Sequence, residues 1–144
     1  MTLLSRTPAT HSGTSTQDAA RQVLQLLRAG FTVLPVVFGL DKFTNLLTDW
    51  SQYLAPEIDA LVPGTAHQAM LAVGVVEIVA GLVVAVIPRF GGPLVAVWLA
   101  GIIGDLLLTG GYWDIALRDF GLLLAALALT RLAWAAHTDR ARRA

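Results

Sequence analysis

Seven ionisable residues, Arg28, Asp41, Lys42, Glu77, Asp105, Arg118 and Asp119, fall within or at the ends of stretches that are otherwise apolar. An ionisable side chain in hydrocarbon costs at least ~2.5–3.5 kcal/mol even on insertion scales, so such groups face the interior of a helix bundle and find partners there. A carboxylate in a low-dielectric site can serve as a proton acceptor. An ammonium or guanidinium beside it can orient or counter-charge a polar head group. Glu77 is the candidate proton acceptor, and Asp105, Arg118, Asp119, Lys42, Asp41 and Arg28 are the candidate binding residues. A structural alternative stands beside each. Asp105 and Arg118 could form only an ion pair that fixes helix packing, while Lys42 and Arg28 could snorkel to the two membrane surfaces. Glu77 lies too deep to snorkel and must be protonated or paired with a base.

Other chemistries lack their residues. The chain has no cysteine, which removes disulfide exchange, iron–sulfur ligation, thiolate–zinc sites and a cysteine nucleophile. Haem in a membrane bundle needs axial ligands on facing helices, and His11, His67 and His137 cannot supply such a pair. The four carboxylates have no histidine among them, and Arg118 and Lys42 oppose a cation, so no metal site is expected. No phosphate loop, nucleophile elbow or H-E-x-x-H is present.

The elements that position these residues follow from composition. Of 144 residues, 56% are apolar and 14% charged, and the mean hydropathy is +0.66. A soluble domain is about 45–50% apolar and about 25% charged, and a chain this short cannot hide the excess. The expected fold is therefore an all-α membrane bundle of four helices. The spans are placed at about 23–43, 67–87, 93–109 and 114–136. Pro88-Arg89-Phe90-Gly91-Gly92-Pro93 reads as the breaker between spans two and three, which leaves span three short. Gly110-Gly111 turns the chain between spans three and four. Residues 1–20, rich in Ser and Thr, read as a disordered cytoplasmic tail without a signal-peptide core, and 138–144 as a basic cytoplasmic tail. Within Thr44–Ala66, apolar and aromatic residues recur at helical spacing, which predicts a short amphipathic helix lying on the membrane.

Orientation follows from the basic residues. Arg6, Arg21, Arg89, Arg131, Arg140, Arg142 and Arg143 fall at one end of the spans, whereas the connections at the other end hold Asp49, Glu57, Asp59 and Asp114 and no Lys or Arg. Both termini are expected in the cytoplasm. At ~1.5 Å per residue, Asp105, Arg118 and Asp119 lie ~6–8 Å below the outer boundary and Glu77 lies ~15 Å deep. Helical phase puts Arg28, Thr32, Pro35, Gly39 and Lys42 on one stripe of span one. Met70, Gly74, Glu77, Gly81 and Val84 share a stripe of span two, and Trp98, Gly101, Asp105 and Thr109 one of span three. Asp41 points about 100° away from Lys42 and is expected to serve a different neighbour. The glycines favour close helix approach, which also allows self-association. A net charge of zero excludes a nucleic-acid partner on electrostatic grounds.

The motifs in these spans resemble the DoxX/DoxX-like family of small four-span bacterial membrane proteins. Arg28 near the start of span one and Gly39, Lys42 and Phe43 at its end match that family's first helix. Gly74-Val75-Val76-Glu77-Ile78-Val79-Ala80-Gly81-Leu82 resembles its Gly-x-x-Glu-x-x-x-Gly run, and Arg118-Asp119 resembles the opening of span four in a subgroup. The resemblance covers about residues 28–132. It implies a subunit of a redox or quinone-linked assembly in the bacterial inner membrane, with quinone or quinol as ligand and membrane or peripheral redox proteins as partners. Named members are associated with a quinol oxidase, a thiosulfate:quinone oxidoreductase, and oxidative-stress defence beside superoxide dismutase and a sulfurtransferase. Without cysteine, any thiol chemistry of such an assembly belongs to a partner. Two further readings stay open at this point, a non-catalytic anchoring or packing subunit and a carrier of protons or a small solute.

Overall fold

The computed structural model describes residues 15–143, which are helical apart from turns and one folded connection. The N-terminal residues expected to be disordered lie outside this range except for the last few, and those belong to a helix. Helix α1 spans Thr16–Thr44, capped by the Ser15 side chain on the backbone N–H of Asp18. It ends at Asn45 in the left-handed conformation. A 3-10 turn at Trp50–Tyr53 and a single helical turn α2 at Pro56–Asp59 follow. Helix α3 spans Ala66–Val86 behind a Thr65/Gln68 capping box, α4 spans Pro88–Thr109, and α5 spans Trp113–Arg143.

The break before span three, the length of α4 and the connection 45–65 differ from the sequence expectation. The breaker before span three is a single residue, Ile87, because Pro88 sits at the first helical position, where its missing N–H costs nothing. Pro93 lies inside α4, within the first two turns, so α4 is 22 residues long and not short. The basic C-terminal segment is helical as far as Arg143. The connection 45–65 is not one amphipathic helix on a surface. It folds inward as the 3-10 turn and α2, with Ala55 between them fully buried.

Helices α1, α3 and α4 are each long and apolar enough to cross a membrane. Their outward faces are apolar, with Val33, Val37 and Leu40 on α1, Val75, Val79 and Leu82 on α3, and Val97 on α4 exposed. Water does not tolerate such a continuous apolar surface. This is the exterior of a membrane protein, with lipid as its solvent.

Without a hydrophobic force between helices in lipid, close backbone approach and polar contacts must join them. Antiparallel α1 and α3 meet through glycine. A Cβ on Gly39 would lie 2.6 Å from the Gly74 carbonyl oxygen, and one on Gly81 2.8 Å from that of Thr32. Helix α4 packs on α3 with Gly91 against Val84 and on α5 with Gly92 against Thr130. The glycine stripe expected to allow self-association is thus covered, on α3, by α1 of the same chain. Gly110 and Gly111, both at positive φ, reverse the chain between α4 and α5.

The two ends of the bundle differ. Phe31, Ala80, Val84, Val95, Ala96, Leu99, Ala126 and Leu129 form a packed core in the half nearer the chain termini. The other half, below the connection 45–65, is hollow.

Candidate functional site

The hollow is a cavity of about 620 Å³. Its floor is apolar, made by Phe31, Ala80, Val95 and Leu99 from the top of the core. Lys42, Glu77, Asp105, Arg118 and Asp119 all line its walls. Five of the seven residues singled out by type and spacing therefore converge on one space, from four different helices.

Lys42 and Glu77 form the pair at its centre. Lys42 Nζ donates to Glu77 Oε2 at 2.7 Å, with both side chains buried. The register explains how two residues at such different distances from their helix ends can meet. Gly39 opposite Gly74 places the end of α1 more than a turn above Glu77. Side chains lean toward the N-terminus of their helix. In antiparallel neighbours Lys42 therefore leans down into the bundle and Glu77 leans up. The base expected for Glu77 is Lys42. Trp50 lies over the same ammonium, 3.7 Å from nitrogen to ring centroid, a cation–π contact that further stabilises the desolvated charge.

Asp41 and Arg28 do not line the cavity. Asp41, pointing away from Lys42 as its phase requires, accepts hydrogen bonds from the backbone N–H of Leu46 at 3.1 Å and of Leu47 at 3.2 Å. It also accepts from the indole N–H of Trp50 at 2.7 Å. It is the staple that folds the connection back over the end of α1. Arg28 reaches the other end of α3 and donates through Nε and Nη2 to the carbonyl oxygen of Ala85, with Nε at 3.1 Å. That carbonyl lies in the last turn of α3, where no intrahelical donor remains. Arg28 is thus a cap on the end of α3, away from the cavity lining, with its guanidinium engaged and not free to snorkel.

Asp105 and Arg118 are not ion-paired among the described residues, which removes the packing-bridge alternative for them. Asp105 accepts from the backbone N–H of Ala55 at 2.8 Å and so pins α2 over the mouth of the cavity. Thr109 adds a long contact to the carbonyl of Tyr53 at 3.5 Å, and the Tyr53 and Tyr112 rings meet at a tilt of 60° with centroids 4.9 Å apart. Arg118 is exposed at the cavity edge, and Asp119 is half-buried. Neither makes a hydrogen bond or an ion pair among the described residues. The indole N–H of Trp98 is buried beside the Glu77 carboxylate, its neighbouring acceptor, without reaching full hydrogen-bond geometry with it.

Three aromatic residues complete the site without having been assigned to it by sequence. Trp98 lies on the same α4 stripe as Asp105, so its phase was the available signal. Trp50 and Tyr53 were legible only as part of the helical spacing of apolar and aromatic residues in Thr44–Ala66, because their inward fold depends on the Asp41 and Asp105 bonds across the chain. Among the described residues no three His, Asp or Glu side chains converge as a metal ion requires. No family model, curated protein or solved structure matches the chain.

Proposed function

We propose that this chain is a DoxX-like, four-span subunit of a quinone-linked redox assembly in a bacterial inner membrane, with both termini in the cytoplasm. In this reading the cavity near the outer face holds a quinone or quinol head group. The observation that carries it is the cavity itself. It combines an apolar floor with a buried Lys42–Glu77 pair, a carboxylate on Asp119 and an indole N–H on Trp98 that lacks a completed hydrogen bond. Its volume of about 620 Å³ falls within the ~300–1,000 Å³ usual for small-molecule sites. The donor set fits the ligand: Lys42, Arg118 and Trp98 can donate to carbonyl oxygens, and Asp119 and Glu77 can accept from hydroxyls.

Bound quinol supplies the redox chemistry; the chain's residues orient it and handle its protons. Arg118 and Lys42 fix the head group through its oxygens. Glu77 is the proton acceptor, and Lys42 offsets the charge of whichever partner is deprotonated, so a proton can move between ligand oxygen and Glu77 without leaving a bare charge in the bundle. Spectroscopic titration of the purified protein with quinone and quinol tests the reading, together with complementation of a deletion strain by Glu77→Gln. Saturable binding and loss of complementation are expected. No binding of either form, with full complementation, overturns it.

A further inference from the structure

The mouth of the cavity at the loop end is covered by the connection 45–65. Ala55 is fully buried there with its N–H on Asp105, and Trp50 is held by Asp41 over Lys42. The side of the bundle is different. Near the termini α1 and α5 are joined through the core, where Phe31 packs with Ala126 and Leu129. Farther up, Leu34 and Phe38 on α1 and Arg118 and Leu122 on α5 all line the cavity and are all exposed. Leu34 is 45%, Phe38 38% and Leu122 39% exposed. In both pairs the residues are four apart, so each forms one stripe along its helix. Residues that belong both to a cavity wall and to the outer surface mark where the cavity reaches that surface. Here the surroundings are lipid-facing side chains.

The geometry points to a slot between α1 and α5 through which the cavity is loaded sideways from the bilayer by a single-chain amphiphile with an uncharged, hydrogen-bonding head. The head lodges between two buried or half-buried groups that lack a completed hydrogen bond, the Trp98 N–H beside Glu77 and the Asp119 carboxylate, and the hydrocarbon chain leaves between Phe38 and Leu122. An uncharged head is favoured because the charges in the cavity wall are already answered, Lys42 and Glu77 by each other, Asp119 by the neighbouring Arg118, and Asp105 by the Ala55 N–H. A head that offers one donor and one acceptor satisfies both groups at once. Three apolar rim residues suit a passing chain, and Arg118 at the edge can stay hydrated at the membrane interface. The inference deepens the quinone reading by adding a route and a tail, and its slot can be tested apart from it.

Native mass spectrometry of the purified full chain from lipid nanodiscs, with three probes, makes the test. The probes are a quinone in its reduced, quinol form carrying one decyl chain, so that its hydroxyls both donate and accept, the same reduced head group with methyl in place of decyl, and dodecanol. Leu34→Trp and Leu122→Trp narrow the slot from either side, and both positions face outward, so one folded variant suffices. Leu40→Trp, on α1 but away from the cavity, carries the same bulk as a control. The slot variants are expected to weaken binding of chain-bearing probes by about tenfold or more through steric overlap, with the methyl probe and Leu40→Trp changed less than about twofold. Slot-sensitive binding of dodecanol without either quinol probe upholds the slot and refutes the quinol head group. Chain-bearing probes that bind the slot variants as well as the unaltered chain, or that never bind, overturn the slot.

Discussion

Lys42 Nζ and Glu77 Oε2 lie 2.7 Å apart inside a bundle whose surface faces lipid. The contact joins α1 to α3 at the level where Gly39 and Gly74 let the two backbones touch. Two ions withdrawn from water are tolerated there only as a pair, because either alone lacks solvation.

The first prediction follows from that asymmetry. Lys42→Met or Glu77→Leu alone strands a buried charge and is expected to lower stability by ~3–5 kcal/mol, whereas the double variant recovers most of the loss. Unfolding of the purified protein in mixed micelles, arranged as a double-mutant cycle, measures it. A coupling within experimental error of zero contradicts the pair's role.

A second prediction concerns the folded connection over the cavity. Asp105→Ala leaves the Ala55 N–H buried without an acceptor, a deficit of ~1–3 kcal/mol. The connection 45–65 is the element that can relieve it by lifting. Exchange of the Ala55 amide should accelerate by about tenfold or more, and limited proteolysis should cut within this connection. Asp41→Ala, which frees Trp50, Leu46 and Leu47, should act in the same direction. Asp119→Ala is the control, since Asp119 lines the cavity but holds nothing in the connection.

These two relationships show what was legible in the sequence. The charge set, the stripe of Gly39 and Lys42 and that of Gly74 and Glu77 are properties of helical phase, which depends on spacing alone. Their convergence on one cavity could therefore be anticipated, as could a base for Glu77. The Asp41 and Asp105 contacts could not. Both carboxylates accept from backbone N–H groups, which every residue but proline carries, so no side-chain type announces the partner. The inward fold of Trp50 and Tyr53 rests on the same contacts, with the Trp50 indole N–H on Asp41, and helical phase says nothing of a pairing made across a non-helical turn. Pro88 misled in the opposite way, because a proline that breaks a helix interior is equally suited to begin one. Arg28 was ambiguous for lack of an axial register between α1 and α3, which the glycine contacts then supply.

The glycines divide into two groups with opposite expected behaviour. At Gly39 and Gly74 a Cβ would come within 2.7 Å of a backbone oxygen on the facing helix, so alanine must push α1 and α3 apart at a cost of ~1–3 kcal/mol. At Gly101 and Gly104 a Cβ meets nothing within 4 Å. Alanine there should be neutral or stabilise by up to ~1 kcal/mol through helix propensity. Thermal unfolding of Gly39→Ala and Gly104→Ala under identical conditions distinguishes them. Equal losses at both positions would falsify the close-packed α1–α3 interface.

Helix α5 decides the topology. It is 31 residues long, yet it carries Asp114, Arg118, Asp119 and Arg131 along the stretch that would cross the bilayer. Two arrangements can be compared. If α5 spans, the connection 45–65 and the C-terminal arginines lie on opposite sides of the membrane, and the excess of basic residues predicts the C-terminus on the cytoplasmic side. If α5 lies on the surface, both are on the same side. The exposed apolar side chains Leu117, Leu124 and Leu127 along α5 favour lipid contact, and Arg118 and Asp119 are directed to the cavity and its edge, which removes part of their cost of burial. The absence of cysteine makes the measurement direct. A membrane-impermeant maleimide applied to intact spheroplasts should label Glu57→Cys, exposed on α2, and should reach Thr138→Cys, exposed near the end of α5, only after the membrane is opened. Labelling of both in intact spheroplasts would leave α5 on the outer surface, and with it Arg118 and Asp119 outside any intramembrane site.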